Sequence, residues 1–447
     1  MLKILTYRVY MHNNLTVRSY SGLQSRCLDA GWLRQLCLDA GADDVGFVDL
    51  SHPDLAAERP HIERAFPRTR ALISFVVRMN RDNIRNPARS VANVEFHGSG
   101  DEVNQMGRRI TSALEREGVR ALNPPMGFPM EADRWMSERL WVVSHKPVAI
   151  AAGLGRMGIH RNVIHPRFGN FILLGTVLVG AEVSAYGRPI DFNPCLTCKL
   201  CVAACPVGAI GADGAFDFSA CYTHNYREFM GGFVDWAENL AESRGRLDYR
   251  RRVREPESVS MWQSLGFGPN YKAAYCMAVC PAGDDVISEY RASKKAFAAE
   301  VLRPLQEKPE AVYVVSGSDA EAHVRRRFPH KEIRRVRNSL RPRSIATFLS
   351  GLRLSFQRGA AGDLVATYHF CFTGADTTEA TVVIRQGALE VLAGRVGRAD
   401  LSLRADAATW LGFLAGEGNL VWAVLRGRIR WRGNPKWLLA FQRCFPR

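Results

Sequence analysis

Acidic side chains are in short supply in this sequence. Its 447 residues carry 44 Asp and Glu against 60 Lys and Arg, a formal charge of +16 at pH 7. A surface of that sign attracts anions: nucleic acid, acidic lipid headgroups or an acidic redox partner. The charge alone does not choose among them. Also missing is any apolar run long enough to span a membrane. The first twenty residues mix Arg8, His12 and Arg18 with apolar side chains and lack the continuous apolar core of a secretory signal. They read as a loose extension, and the chain reads as cytoplasmic. A disulfide framework is disfavoured on the same ground, although the chain has eleven cysteines. What remains is ordinary: 47% hydrophobic and 23% charged residues, with a length that calls for two or three domains.

The cysteines are unevenly placed. Four stand at Cys195, Cys198, Cys201 and Cys205, with Pro206 directly after the last. This C-x2-C-x2-C-x3-C-P spacing holds iron–sulfur clusters, its fourth cysteine serving a second cluster. Zinc knots use two separated pairs instead. Downstream lie Cys221, Cys276 and Cys280, the last followed by Pro281. Two-cluster logic assigns Cys195, Cys198, Cys201 and Cys280 to one [4Fe-4S] cluster and Cys205, Cys221 and Cys276 to another. Seven thiolates are one short of two complete cubanes, and Ala273 stands where the eighth is expected. The second cluster is then [3Fe-4S], or [4Fe-4S] with one non-cysteine or open iron. His224 and Asp284 are the nearest replacements. Cys27, Cys37, Cys371 and Cys444 read as small buried hydrophobes.

Strands alternating with helices make residues 22–190 an α/β domain. A helix is expected from Gly22 to Ala40, strands at Val45–Asp49 and Ala71–Val77, a long helix from about Val91 to Glu117, and a buried strand at Phe171–Val179. Gly153-Leu-Gly155-Arg-Met-Gly158 spells G-x-G-x-x-G, and Val148–Ala152 before it suits a strand. A dinucleotide turn also needs a helix at the third glycine and an acid about twenty residues on. Both are missing. The glycines read better as a tight backbone passage near a flat ligand or the clusters. His145, Lys146, His160, Arg161 and His165 surround them and are candidates to line a pocket.

Residues 191–300 read as a dicluster, ferredoxin-like insert. Within it, 222–272 hold Tyr226, Phe229, Phe233, Trp236, Trp262 and Phe267, and read as helices shielding the clusters rather than a lid. Residues 301–337 read as a basic linker. From Arg325 to Arg343 there are eight arginines and a lysine against Glu332 alone; a solvated face is favoured over a phosphate grip, and Phe328 is the one aromatic. Residues 338–447 read as an α+β domain, with short strands at Val365–Phe372, Thr381–Arg385, Leu389–Leu392 and Leu401–Arg404, a helix at Ala407–Ala415, a strand through 427–433 and a last helix at Pro435–Phe445. It either packs a normal core or encloses an apolar ligand.

Two resemblances sharpen this. Lys146-Pro147, Ala152-Gly-Leu-Gly155, Gly158, Phe168-Gly169 and Leu174-Gly175, followed by the cysteine pattern, resemble the epoxyqueuosine reductases and, more distantly, the reductive dehalogenases. That resemblance implies a cobalamin-binding α/β fold, with two clusters feeding electrons to the cobalt. It places cofactor contacts at Lys146, Gly153, Gly155, Gly158 and His160. It puts a catalytic acid near Arg139, where Glu138 is the adjacent acid and Asp133 lies upstream. The family's carboxy-terminal tRNA-contacting repeats are missing. Residues 340–445 instead resemble a sterol carrier protein type two domain, through Ala399-Asp-Leu-Ser-Leu403, Trp410-Leu-Gly-Phe-Leu-Ala-Gly416 and Leu425-Arg-Gly427 into Ile429 and Trp431-Arg-Gly433. Such domains bind lipids or other apolar molecules.

The expectation is therefore an iron–sulfur oxidoreductase. Electrons enter from an external ferredoxin or flavodoxin-type donor and pass through two clusters to a substrate or corrinoid. The carboxy-terminal domain holds an apolar molecule. The alternatives are a non-enzymatic electron-transfer or lipid-carrier protein and a tRNA epoxyqueuosine-type reductase. Nucleic acid is not favoured.

Overall fold

The computed structural model describes residues 27–135, 139–195 and 197–446. The expected amino-terminal extension and Glu138 lie outside the described residues. Asp29 opens the first helix, Ala30–Asp39, by accepting the Trp32 amide at 2.7 Å, which satisfies a donor the helix cannot.

The amino-terminal sheet has the order Asp44–Asp49, Ala71–Arg78, Ile172–Val179, Ala121–Leu122. Helices and strands alternate along the chain as the α/β reading expects, but every pairing in this sheet is antiparallel. Both central strands are buried almost throughout, so each needs cover on both faces. Ile73, Phe75 and Val77 meet Val103, Met106, Ile110 and Leu114 of the long helix Arg89–Arg116 on one face. On the other, Leu72 and Leu178 meet Val148 and Ala151 of a short helix, His145–Ala151. This helix occupies the place where a strand at 148–152 was expected. Val148, Ala149 and Ala151 bury one side of a helical turn, and alanine favours that state. Phe75 lies opposite Gly175. A Cβ there would sit 2.0 Å from the Phe75 ring, so the strand needs glycine at that register.

Among the described residues of 191–300 the regular elements are helices, with a single isolated bridge between Ile210 and Phe216. Two short helices, Leu200–Ala204 and Tyr275–Ala278, pack together and carry cysteines. Helices run at Gly231–Glu242, Arg246–Arg252 and Glu255–Phe267, so this stretch is helical as expected. Trp262 and Phe267 on the last of them are exposed.

The basic linker expected at 301–337 is instead a folded unit. Strands Ala311–Val315 and Glu332–Val336 pair in parallel across the helix Asp319–Arg327. Val312, Val314 and Val324 belong to the same core as the amino-terminal sheet and the cysteine helices. The arginines that suggested a linker are largely spent on acids of this chain. Arg325 and Arg335 hold Glu321, Arg337 bridges Asp235 and Glu242, and Arg341 grips Glu238 with two bonds of 2.6 and 2.7 Å. Behind them Arg227 is sealed between Asp235 and Glu257, all three at most 3% exposed.

The carboxy-terminal unit has its own core. Its five-stranded sheet runs Ala388–Ala393, Glu379–Arg385, Ala366–Thr373, Leu401–Asp406, Ile429–Gly433. The Ala366–Thr373 and Leu401–Asp406 pair is parallel and the others are antiparallel. Phe348, Phe370, Phe372 and Trp410 interlock between helix and sheet with ring centroids 5.5–6.1 Å apart. Ile429 is buried on its strand, whereas Trp431 stands 36% exposed.

Candidate redox cavity and its thiols

A cavity of about 850 Å³ lies between the long helix, the 145–164 segment and the cysteine helices. Its wall is mostly apolar. Phe96, Tyr226, Phe229 and Tyr271 form one side with ring centroids 4.8–5.7 Å apart. Among the described lining residues none is an acid, while Arg89, Lys146, Arg161 and Arg353 are cations. Arg89 is positioned over the Tyr275 ring, and its Nε and Nη1 are buried without a hydrogen-bond partner.

The expected pocket residues separate cleanly. His145, Lys146, His160 and Arg161 line the cavity. His165 is tied instead to Asp44 at 3.0 Å and to the amides of Arg167 and Phe168. Lys146 Nζ donates to the Arg161 carbonyl at 2.6 Å, and burial lowers its pKa. His145 is fixed between the Thr176 hydroxyl and the Pro125 carbonyl, and burial keeps its imidazole neutral. The glycines act at one remove. Gly153 holds a φ of +83°, and a Cβ would lie 2.7 Å from the Arg188 carbonyl; at Gly155 it would lie 2.4 Å from that of Ile164. They seat a hairpin, Arg156–Met157 with Val163–Ile164, whose turn presents His160, Arg161 and Asn162 to the cavity. No helix opens at Gly158, so the dinucleotide turn is absent here.

The structure brings the seven cysteines of the pattern near one another, with Cys276 close to thiols of both halves. Cys280 packs with Cys195 in one small apolar cluster. Burial raises its pKa to about 12, and nearby Cys198 and Cys195 add to the shift. Cys201 is raised by burial and then by Cys276, Cys280 and Cys198. Cys221 is raised by burial and then by Cys205 and Cys276, and Cys276, at about 12, by burial and then by Cys205. Of the seven, only Cys205, Cys221 and Cys276 lie on the cavity wall. Burial thus disfavours the free thiolate at Cys198, Cys201, Cys205, Cys221, Cys276 and Cys280, which suits ligands whose charge a metal centre supplies. Amides are already aimed at sulfur: Ala209 donates to Cys205 Sγ at 3.3 Å, and the amides of Leu200 and Ala282 serve Cys198 and Cys280. Sulfur accepts such bonds well only as thiolate. Among the described residues no three His, Cys, Asp or Glu side chains group as a site for a single metal ion. No cysteine forms a disulfide.

Ala273 also lines the cavity, beside Cys276. Its surroundings repeat the first motif: Cys198-x2-Cys201-x3-Cys205-Pro206 matches Ala273-x2-Cys276-x3-Cys280-Pro281. Asp284 is exposed and away from the wall. His224 is on it, 1% exposed, with Nε2 unpartnered. Asp133 is exposed and off the wall. Arg139, at the place the resemblance gives to an acid, is bound to Glu58 at 2.6–2.7 Å. Sequence reasoning missed Arg89, Asn93, Phe96 and Tyr271, which come from segments far apart in the chain. The aromatic density of 222–272 was the one available signal.

Comparison with known proteins agrees with both resemblances. An epoxyqueuosine reductase of Cellulophaga algicola is 32% identical over 103 residues, covering 21% of this chain and 33% of that one. One from Vibrio cholerae is 32% identical over 92 residues, 20% of this chain and 24% of that one. The chain therefore spans a third or less of the length of these relatives. A solved epoxyqueuosine reductase from Streptococcus thermophilus aligns over 41% of this chain and 54% of its own, at 16% identity and a TM-score of 0.32. Residues 354–446 match the SCP-2 sterol transfer family. The chain thus couples a part similar to epoxyqueuosine reductases to a carboxy-terminal part of the SCP-2 sterol transfer type.

Proposed function

We propose that this protein is an iron–sulfur reductase acting on a small, largely apolar molecule that carries an anionic group. Cys195, Cys198, Cys201 and Cys280 hold one cluster; Cys205, Cys221 and Cys276 hold the second. One observation carries the reading: the second thiol set is on the cavity wall, and the first is set back from it. When bound, such clusters supply one-electron transfer. Electrons from a ferredoxin or flavodoxin-type donor enter at the first set.

The chain's own groups do the rest. Apolar walls exclude water and strengthen every charge inside. Arg89, with unused donors and no acid on the described wall, orients an anionic group beside Cys276. The Tyr226 phenol is kept protonated by burial and then by Cys221, so it is a proton donor on the wall. Lys146, Asn162 and the neutral His160 offer polar contacts to a substrate or to a corrinoid, the occupant the family resemblance implies.

A tRNA substrate is disfavoured. Most of the arginine run is paired internally, and Arg353 and Leu354, from the helix Ile345–Ser355 of the carboxy-terminal unit, form part of the cavity wall. Anaerobic reconstitution with iron and sulfide, followed by metal counting, tests the reading; binding of zinc alone would end it. A shift in the visible spectrum of added cobalamin would identify a corrinoid as occupant, and an unchanged spectrum would leave the cavity to substrate alone. Mass spectrometry of organic extracts should find an apolar molecule bearing a carboxylate or phosphate.

A further inference from the structure

We infer that the second cluster has one iron without a protein ligand, and that this iron faces the cavity and takes a small oxygen donor: water, or a hydroxyl or carboxylate of the bound molecule. The inference rests on the two-cluster reading above and goes beyond it. Two four-iron cubanes need eight thiolates. The two sets contain seven, and the motif repeat puts the gap at Ala273. Ala273 shares the wall with Cys205, Cys221 and Cys276, so the corner it leaves bare is on the cavity side.

The neighbouring donors do not fill it. Asn225 Oδ1 already accepts the Ala273 amide at 3.0 Å. His224 sits three residues after Cys221 on the same helix, Phe218–Asn225. Its Nδ1 accepts the Tyr313 amide at 3.3 Å, which leaves the proton on Nε2. A protonated ring nitrogen donates and does not ligate. Buried, unpartnered and on the wall, that N–H serves as a donor to a sulfide or to an oxygen held at the open iron. Asp284 is exposed and remote from the wall. The arrangement gives a substrate direct access to one metal atom, in a cavity whose described cations favour an anionic oxygen.

The test uses the full chain, reconstituted anaerobically and treated with ferricyanide. An iron lacking a thiolate leaves on mild oxidation: [4Fe-4S]2+ yields [3Fe-4S]+ and Fe2+, and ferricyanide takes the one electron released. Iron should fall from about eight to about seven per chain, with close to one spin per chain of the oxidised three-iron signal. Isolation of the three-iron form before oxidation, converted to the four-iron form by added Fe2+, supports the same conclusion. Ala273→Cys should suppress the signal. Retention of all eight irons by the unaltered chain would overturn the inference while leaving the clusters intact. So would an exchangeable iron that appears only in His224→Ala or Tyr226→Phe, since either would reveal a protein ligand. A chain that binds no iron defeats the two-cluster reading itself, a separate result.

Discussion

His160 should titrate far below an ordinary histidine. Its ring is 4% exposed on the hairpin turn at the cavity. Nδ1 accepts the Asn162 amide at 3.2 Å, and Nε2 lies 3.3 Å from the Asn170 side-chain amide. Burial first, and then the charge of Lys146, lowers its pKa from 6.5 to about 4. The unfolded chain takes up the proton first as pH falls. Stability from this group is therefore full above about 6.5 and is lost toward 4. Between pH 7 and pH 5 the loss is about 2 kcal/mol, from 1.36 kcal/mol per pKa unit over the interval in which only the unfolded state is protonated. The direct assay is a titration of the His160 ring proton by NMR, identified by its disappearance in His160→Gln. Denaturant unfolding at the two pH values should show the variant losing about 2 kcal/mol less than the parent. A midpoint near 6.5, or an equal pH dependence in parent and variant, would refute the argument.

Three other outcomes follow from packing and charge. Arg227→Met strands the buried Glu257 carboxylate and leaves buried Asp235 to Arg337, and should cost about 3–5 kcal/mol in denaturant unfolding; adding Glu257→Gln should recover part of it. Gly169 has a φ of +66°, and a Cβ would lie 1.8 Å from the Ala282 carbonyl oxygen, two residues past Cys280. Gly169→Ala should therefore cost about 1–3 kcal/mol and lower the iron retained after reconstitution. Trp410→Ala opens the aromatic core of the carboxy-terminal unit and should cost about 3–5 kcal/mol. Calorimetry should show the loss in that unit's transition alone, because its core is separate from the rest.

The strands at 44–49, 71–78 and 172–179 and the long helix were readable because their burial is periodic or continuous. The antiparallel order was not, because the connections between those strands are long enough for either direction. The short helix at 145–151 hid behind residues that suit strand and helix alike. The run Arg325 to Arg343 misled for a different reason. Apart from Glu321 just upstream, its partners Asp235, Glu238 and Glu242 lie about a hundred positions earlier, and composition within a window does not record them. The thiols were legible by spacing, since the pattern itself encodes the chemistry. The cavity was not: Arg89, Phe96, Tyr226 and Tyr271 converge only after three segments have folded.

The helix Ile345–Ser355 lends Arg353 and Leu354 to a wall otherwise built from the first three hundred residues. A shortened protein ending near 337 would lose that wall and admit bulk water beside Cys205, Cys221 and Cys276. Potentials or turnover recorded on such a fragment would describe a wetter, more polar chamber than the one the intact polypeptide encloses.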